Sequence, residues 1–191
     1  KSLLLEEVNL FFKWYVPHIF NKKKRFKINS QLRKVISSLL KKIKLPNNTF
    51  VHRDFHVSNL MLKKRVISVI DSQDAVYGNI AYDLASLIDD VRLRTSKNMK
   101  EMIYKEYLYL NKKKINIKKF KNDFDILSVL RNLKIIGIFT RLANRDNKKQ
   151  YLKLIPHAWE LIELRIKNNY IFKDLKKNLG TNFPKKIRIK K

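Results

Sequence analysis

Residues His52 to Asn59 read H-R-D-F-H-V-S-N, and twelve residues later the run V-I-S-V-I-D ends at Asp71. Asp54 lies within this stretch, five residues before Asn59. Phosphoryl transfer to a hydroxyl group requires one carboxylate to orient the hydroxyl, and an amide oxygen and a second carboxylate to hold Mg²⁺ against nucleotide phosphates. The order Asp, Asn, Asp therefore predicts a phosphotransfer site with Asp54 as the catalytic residue.

The residues after the motif predict a small β-hairpin. Residues 60–62 and 66–70 are largely apolar and flank a basic turn at 63–65. Pairing of these two strands would bring Asn59 and Asp71 close together, and oxygen ligands of this kind suit Mg²⁺. The alternative is an ordinary hairpin whose polar ends coincide by chance.

The pattern H-x-D-x-H-x-x-N resembles the signature of the aminoglycoside phosphotransferase and choline kinase superfamily. Protein kinases typically carry Lys two residues after the Asp, where this chain has His56. Within the superfamily, the residues from Val51 to Met61, Ile70 to Gly78 and Ala81 to Leu87 are most similar to bacterial kinases that act on the anomeric hydroxyl of N-acetylmuramic acid and N-acetylglucosamine. The resemblance implies a cytoplasmic, ATP- and Mg²⁺-dependent amino-sugar kinase that serves cell-wall sugar recycling.

The resemblance also implies roles for single residues. It implies that Asp54 is catalytic and that His56, Asn59 and Asp71 bind the cofactor. Of these, Asn59 and Asp71 bind the metal. His52 and Asp83 are implied as structural supports. For Asp83 the alternative is a simple helix-dipole role, because an acid in a first helical turn is favourable.

Candidates for contact with the sugar are Asp74, Arg141 and Arg145, with Asp89, Asp90 and Arg92 as further candidates for the acceptor pocket. Arg141 and Arg145 stand near the predicted end of a helix, where cations are favourable in any case. A solvent-exposed helix end is therefore the alternative for these two arginines.

The predicted fold class is α+β and mostly helical: the C-terminal lobe of a protein-kinase-like fold, with a small β-hairpin carrying the catalytic loop. Residues 1–183 form this lobe, and residues 184–191 form a basic tail that is either solvated or a tether to an acidic partner or a membrane surface. The residues before His52 contain no Gly and show helical apolar spacing, so they predict two helices, the second capped by Asn29 or Ser30 after a loop at 22–25. A Gly-rich loop over the phosphates is therefore not expected here, and the N-terminal lobe is expected to be absent from this chain.

The chain carries 44 Lys and Arg against 16 Asp and Glu, a formal net charge of +28. This excess indicates either affinity for polyanions or a general drift of composition toward Lys, which outnumbers Arg 33 to 11. The alternative function is thus a catalytically incomplete kinase-like lobe that binds polyanions or a partner protein. The absence of Cys excludes disulfides and thiolate zinc sites, and no apolar run is long enough to predict a membrane span.

Overall fold

The computed structural model describes residues 2–113 and 115–188 and is mostly helical, with small antiparallel sheets. The α-helices are α1 (Ser2–Leu10), α2 (Val16–Ile19), α3 (Lys22–Lys41), α4 (Ala81–Ile88), α5 (Lys97–Leu110), α6 (Ile117–Arg145), α7 (Ile155–Ile166), α8 (Lys173–Asn182) and α9 (Lys185–Arg188). The strands are β1 (Thr49–Val51), β2 (Leu60–Lys63), β3 (Val66–Val69) and β4 (Val76–Gly78). A π-helical turn, Phe11–Tyr15, joins α1 to α2, and 3₁₀ turns occupy Val57–Asn59, Lys149–Leu154 and Tyr170–Phe172.

The chain divides into two compact units. The first, here called the helical unit, consists of Lys1–Lys42 and Val129–Lys191, and the second, the motif unit, of Ile43–Ser128. Helix α6 contributes residues 117–128 to the motif unit and residues 129–145 to the helical unit.

Aromatic rings form the core of the helical unit. Phe11 packs edge-on against Phe183 with ring centroids 5.4 Å apart, and the indole Nε1 of Trp159 donates a hydrogen bond of 3.2 Å to the hydroxyl of Tyr15. Burial raises the pKa of Tyr15 to about 12. Gly137 on α6 lies so close to the start of the π-helical turn that an added Cβ would come within 2.3 Å of a backbone carbon of Leu10. This close approach of two helical backbones requires glycine.

Helix α3 begins earlier than the sequence predicts. Its N-cap is Asn21, whose side-chain oxygen accepts a hydrogen bond of 3.1 Å from the backbone N–H of Lys24. Arg25 donates from Nε to the carbonyl of Phe20 at 2.6 Å and so closes the preceding turn. The prediction of a loop at 22–25, with a cap at Asn29 or Ser30, is therefore wrong: lysine is a good helix former, and Asn21 supplies the cap.

The motif unit contains two antiparallel strand pairs among its described residues. Strands β2 and β3 pair over the predicted hairpin stretch, with Leu60 opposite Val69. The connection consists of Lys64 and Arg65, which both adopt positive φ angles of 47° and 65°. Two left-handed residues in a two-residue loop match the right-handed twist of the flanking strands.

The second strand pair precedes and follows the hairpin in sequence. Strand β1 pairs with β4, with Thr49 opposite Gly78 and Val51 opposite Val76. Because β1 ends at Val51, the motif begins where the strand ends. The His52–Asn59 motif is thus a loop that starts at a paired strand.

The last described residues differ from a fully solvated tail. Lys185 and Lys186 are exposed, but the guanidinium of Arg188 lies 4.7 Å from the ring centroid of Trp159. Arg188 also donates hydrogen bonds to the carbonyl of Phe183 and to the carboxylate of Glu163. The remaining residues of the predicted tail, 189–191, lie outside the described part of the chain.

Candidate active site

The catalytic loop begins with two backbone N–H groups that bind one carboxylate. Asp83, in the first turn of α4, accepts from the backbone N–H of His52 at 2.7 Å and from that of Arg53 at 3.0 Å. Arg53 has a φ angle of 69°, a left-handed conformation that a non-glycine residue adopts only when its surroundings hold it. Asp83 therefore binds the backbone at the start of the loop through both of its carboxylate oxygens.

His52 connects the start of the loop to the strand that leads to Asp71. Its side chain is buried, and Nε2 lies 3.0 Å from the carbonyl oxygen of Ile70. Because Ile70 immediately precedes Asp71, this contact ties the two halves of the motif together.

Asp54 presents its carboxylate to solvent at the centre of the loop. Half of its side chain is exposed, and Oδ1 lies 3.2 Å from Nε2 of His56, which is buried. An ionised carboxylate can only accept, so this contact requires His56 to carry a proton on Nε2. The structure thus places His56 beside the predicted catalytic carboxylate, where it can orient that carboxylate for a reacting hydroxyl.

Asn59 lies opposite Ile70, the residue that precedes Asp71, across the hairpin. The backbone carbonyl of Asn59 accepts a hydrogen bond of 3.0 Å from the N–H of Ile70, so the residue after Ile70 is adjacent to Asn59. The Asn59 amide nitrogen donates to the carbonyl of Asp54 at 2.9 Å, which leaves its Oδ1 as the atom that could bind a cation. Asp71 is exposed and has a φ angle of 69°. An amide oxygen and a carboxylate form a hard donor set that suits Mg²⁺.

Two buried carboxylates of the motif unit bind backbone N–H groups that lie far from them in sequence. Asp90 accepts from the backbone N–H of Val57 at 3.3 Å, although the sequence indicates it only as a pocket candidate. Asp123, on α6, accepts from the backbone N–H of Leu45 at 2.7 Å and from the amide of Asn79 at 2.8 Å. The one available signal for Asp123 is an acid at an otherwise apolar helical position.

The predicted sugar contacts fall in different parts of the chain. Asp74 is an exposed residue of the motif unit, and its backbone carbonyl accepts a hydrogen bond of 3.2 Å from Arg53. Arg141 and Arg145 lie on the part of α6 that belongs to the helical unit. Arg145 binds Asp146 with two hydrogen bonds of 2.6 and 3.1 Å. This pairing lowers the pKa of Asp146 and raises that of Arg145.

A largely apolar cavity of about 630 Å³ lies within the motif unit and borders Phe55 and Asp83. The hydroxyl of Tyr107, which also lines the cavity, lies 3.4 Å from the carbonyl of Ile80. Burial, and secondarily the charge of Asp83, raise the pKa of Tyr107. The phenol therefore stays neutral at physiological pH and acts as a hydrogen-bond donor.

Comparison with known proteins shows the family of the chain. The phosphotransferase enzyme family (APH) matches residues 5–114. A protein of Neisseria meningitidis serogroup B named N-acetylmuramate/N-acetylglucosamine kinase is 32% identical over 161 residues, which are 82% of this chain and 48% of the relative. A Pseudomonas putida protein of the same name is 33% identical over 172 residues, 84% of this chain and 49% of the relative.

The chain therefore belongs to the phosphotransferase enzyme family, as the motif predicts. It spans about half the length of the curated relatives it matches. Among the described residues, none of the helices is both long and apolar enough to cross a membrane.

Proposed function

We propose that this chain forms the catalytic part of an ATP-dependent kinase that phosphorylates the anomeric hydroxyl of an N-acetyl amino sugar in the cytoplasm. The observation that carries the proposal is the loop itself: a half-exposed Asp54 stands between backbone segments that are fixed by buried groups. The relatives named for N-acetylmuramate and N-acetylglucosamine supply the substrate class.

The chemistry proposed for the loop is a single phosphoryl transfer. The anomeric oxygen attacks the γ-phosphorus of ATP, the bond to the bridging oxygen breaks, and ADP leaves. Asp54 orients the hydroxyl and takes its proton late, because an anomeric hydroxyl is more acidic than an ordinary alcohol. His56, 3.2 Å from Asp54, holds the carboxylate in place for this step.

The chain offers few ligands for a metal ion of its own. Residues 2–113 and 115–188 contain no group of three or more His, Cys, Asp or Glu that could hold one. Oδ1 of Asn59 and the carboxylate of Asp71 would hold Mg²⁺, with phosphate oxygens and water as the other ligands. When bound, Mg²⁺ neutralises charge on the phosphates of ATP.

The nucleotide requires elements that this stretch of 191 residues lacks. The whole sequence contains three Gly, at positions 78, 137 and 180, so it cannot form a Gly-rich loop over the phosphates. We propose an N-terminal lobe as the partner that provides this loop. Residues 1–191 alone should consequently release negligible ADP in the presence of ATP and sugar, because positioning supplies most of the catalysis in this chemistry.

A substrate panel tests the proposal. The intact protein is incubated with ATP and N-acetylmuramic acid, N-acetylglucosamine, an aminoglycoside or choline, and ADP release and the phosphorylated position are measured. Phosphorylation at the anomeric oxygen of an N-acetyl amino sugar is the expected result. Preference for an aminoglycoside or choline would refute the substrate class while leaving a kinase, and failure with every acceptor would refute the function.

A second candidate function rests on how charge is divided between the units. The helical unit contains 28 Lys and Arg against six Asp and Glu, whereas the motif unit contains 16 against ten. The helical unit therefore carries +22 of the +28 net charge. An even compositional drift would not produce this asymmetry, so we propose that the helical unit also binds polyanions, for which single-stranded RNA is a suitable probe.

Matched charge reversals test that second function. Lys23 and Lys27 are exposed on α3, and Lys118 and Lys119 are exposed on α6 within the motif unit. Reversal of the first pair to Glu should weaken binding of single-stranded RNA and flatten the dependence of log K on log salt by about 1.4, at roughly 0.7 per lost phosphate contact. Reversal of the second pair changes net charge equally. Equal weakening by both pairs would show that affinity follows net charge alone, and would refute a specific surface.

A further inference from the structure

We propose that Asp90 is a positioning residue for phosphoryl transfer: together with Asp83 it clamps the catalytic loop at both ends. This inference rests on the proposed function of Asp54. Asp83 binds the N–H groups of His52 and Arg53, before the catalytic residue, and Asp90 binds the N–H of Val57, after it. The loop thus has one buried or half-buried carboxylate at each side of Asp54.

The contact at Val57 matters because Val57 begins the turn that leads to Asn59. It is the first residue of the 3₁₀ turn Val57–Asn59, and the first N–H groups of a helical turn have no partner within the turn. Asp90 supplies that partner. Asn59, at the end of the same turn, binds the carbonyl of Asp54 at 2.9 Å. A shift of Val57 would therefore move Asn59, and through its hydrogen bond it would move Asp54 as well.

Asp90 is held firmly enough to act as such an anchor. It is 2% exposed and comes directly after the end of α4 and its cap residue, Asp89. Its Oδ1 accepts from the backbone N–H of Arg92 at 3.0 Å and lies 3.4 Å from the Arg92 guanidinium, while Oδ2 faces Val57. One oxygen thus fixes the side chain to its own turn, and the other binds the loop.

The distance between the two clamp residues is set by α4. Asp83 lies in the first turn of α4, and Asp90 follows the last helical residue, Ile88, by two positions. The helix from Asp83 to Ile88 extends about 7.5 Å along its axis. The helix is mostly buried between them, with Ala85 and Ile88 in the core. A short rigid helix therefore fixes the spacing between the two ends of the loop.

The simpler role for Asp90 would be to stabilise the turn from Asp90 to Arg92 alone. The two roles predict different results for Asp90→Asn, since an amide retains one acceptor oxygen but cannot serve both Val57 and Arg92. A turn-stabilising residue would affect the melting temperature only. A clamp residue would also lower kcat, because a shift of about 1 Å at a reacting group can cost on the order of 10²-fold.

The experiment compares Asp90→Asn with Asp125→Asn in the intact enzyme. Asp125 is also buried in the motif unit, but its carboxylate binds Lys121 on its own helix at 2.9 Å. We expect Asp90→Asn to lower kcat by about 10- to 100-fold with little change in the KM of sugar and ATP. Asp125→Asn should lower the melting temperature and leave kcat within about two-fold, and Asp90→Glu should recover part of the lost rate.

A second variant removes the donor in place of the acceptor. Val57→Pro deletes the N–H at the first position of a turn, where proline is tolerated. The preceding residue, His56, is already extended at φ −143° and ψ 167°, as a residue before proline prefers. If the contact is what matters, the effects of Val57→Pro and Asp90→Asn on kcat should be strongly non-additive. Additive effects, or an unchanged kcat in folded Asp90→Asn, would overturn the proposal.

Amide hydrogen exchange tests the role of Asp90 without measuring enzyme activity, so it can fail or succeed independently of the proposed function. Amide hydrogen exchange at Val57, measured on the intact protein, should accelerate in Asp90→Asn and remain slow in Asp125→Asn. If Val57 is protected equally in both variants, the clamp is wrong even when the enzyme is a sugar kinase. If the intact protein phosphorylates no sugar but exchange behaves as expected, the clamp stands and the proposed function fails.

Discussion

The motif unit and the helical unit use their charged residues in opposite ways. In the motif unit, Asp83, Asp90 and Asp123 accept hydrogen bonds from backbone N–H groups that lie far away in sequence. In the helical unit the core consists largely of aromatic and aliphatic side chains, and the excess of cations is mostly at the surface. Carboxylates therefore hold the backbone in place in the motif unit, while the packing of apolar side chains stabilises the helical unit. Substitutions in the motif unit should impair catalysis, and those in the core of the helical unit should impair stability.

The largest effect is expected at the proposed metal site of the motif unit. Asp71→Asn keeps the shape of the side chain but removes its charge. It should lower kcat/KM in the intact enzyme by on the order of 10³-fold, since a catalytic metal ion contributes several kcal/mol. The variant should also need a higher Mg²⁺ concentration than the wild type to reach half of its maximal rate. Glu101→Gln, which removes an exposed charge in the same unit, is the control and should leave both quantities unchanged.

The close helix approach at Gly137 should dominate the stability of the helical unit. Gly137→Ala would place a Cβ within 2.3 Å of backbone atoms, and should destabilise the protein by about 3 kcal/mol or more. Gly180 lies in α8 with nothing within 4 Å of its added Cβ, so Gly180→Ala should stabilise by about 0.5–1 kcal/mol. Urea unfolding measures both. An equal response at the two glycines would contradict the close packing of α6.

The buried Tyr15 makes the free energy of unfolding depend on pH, and this effect is smaller than that of Gly137→Ala. Its pKa is raised from 10.0 to about 12 by burial, so the folded state disfavours the phenolate. The stability is complete below pH 10 and decreases as the pH rises to 12, with a loss of about 1.4 kcal/mol at pH 11. Tyr15→Phe should unfold in urea with a weaker pH dependence between pH 9 and 12. Tyr170→Phe, at an exposed site, should retain the wild-type dependence.

Sequence patterns were sufficient for features that depend on neighbouring residues. The motif from His52 to Asn59 predicted the family, and the two apolar runs that flank a basic turn predicted the pairing of β2 with β3. Helix α3 shows where such patterns fail, because Asn21, Asn29 and Ser30 are all acceptable caps and only the fold selects among them. The roles proposed for the site residues remain predictions.

Contacts between residues that are far apart in sequence could not be predicted from the sequence. Asp90 binds a residue 33 positions away, and Asp123 binds one 78 positions away. Neither acid has a sequence signal that names its partner. Arg188 likewise lies over Trp159, although its surroundings in sequence indicate only a basic tail.

The central claim is that Asp54 of the motif unit accepts the proton of the sugar hydroxyl. Asp54→Asn in the intact enzyme tests it most directly, since the amide keeps the size of the side chain but cannot accept that proton. The variant should lose about 10²–10⁴ in kcat, with nucleotide affinity little changed, because Asn59 and Asp71 are intact. Asp174→Asn, at an exposed position of the helical unit, should retain full turnover. Wild-type turnover by Asp54→Asn would contradict the assignment of the catalytic residue.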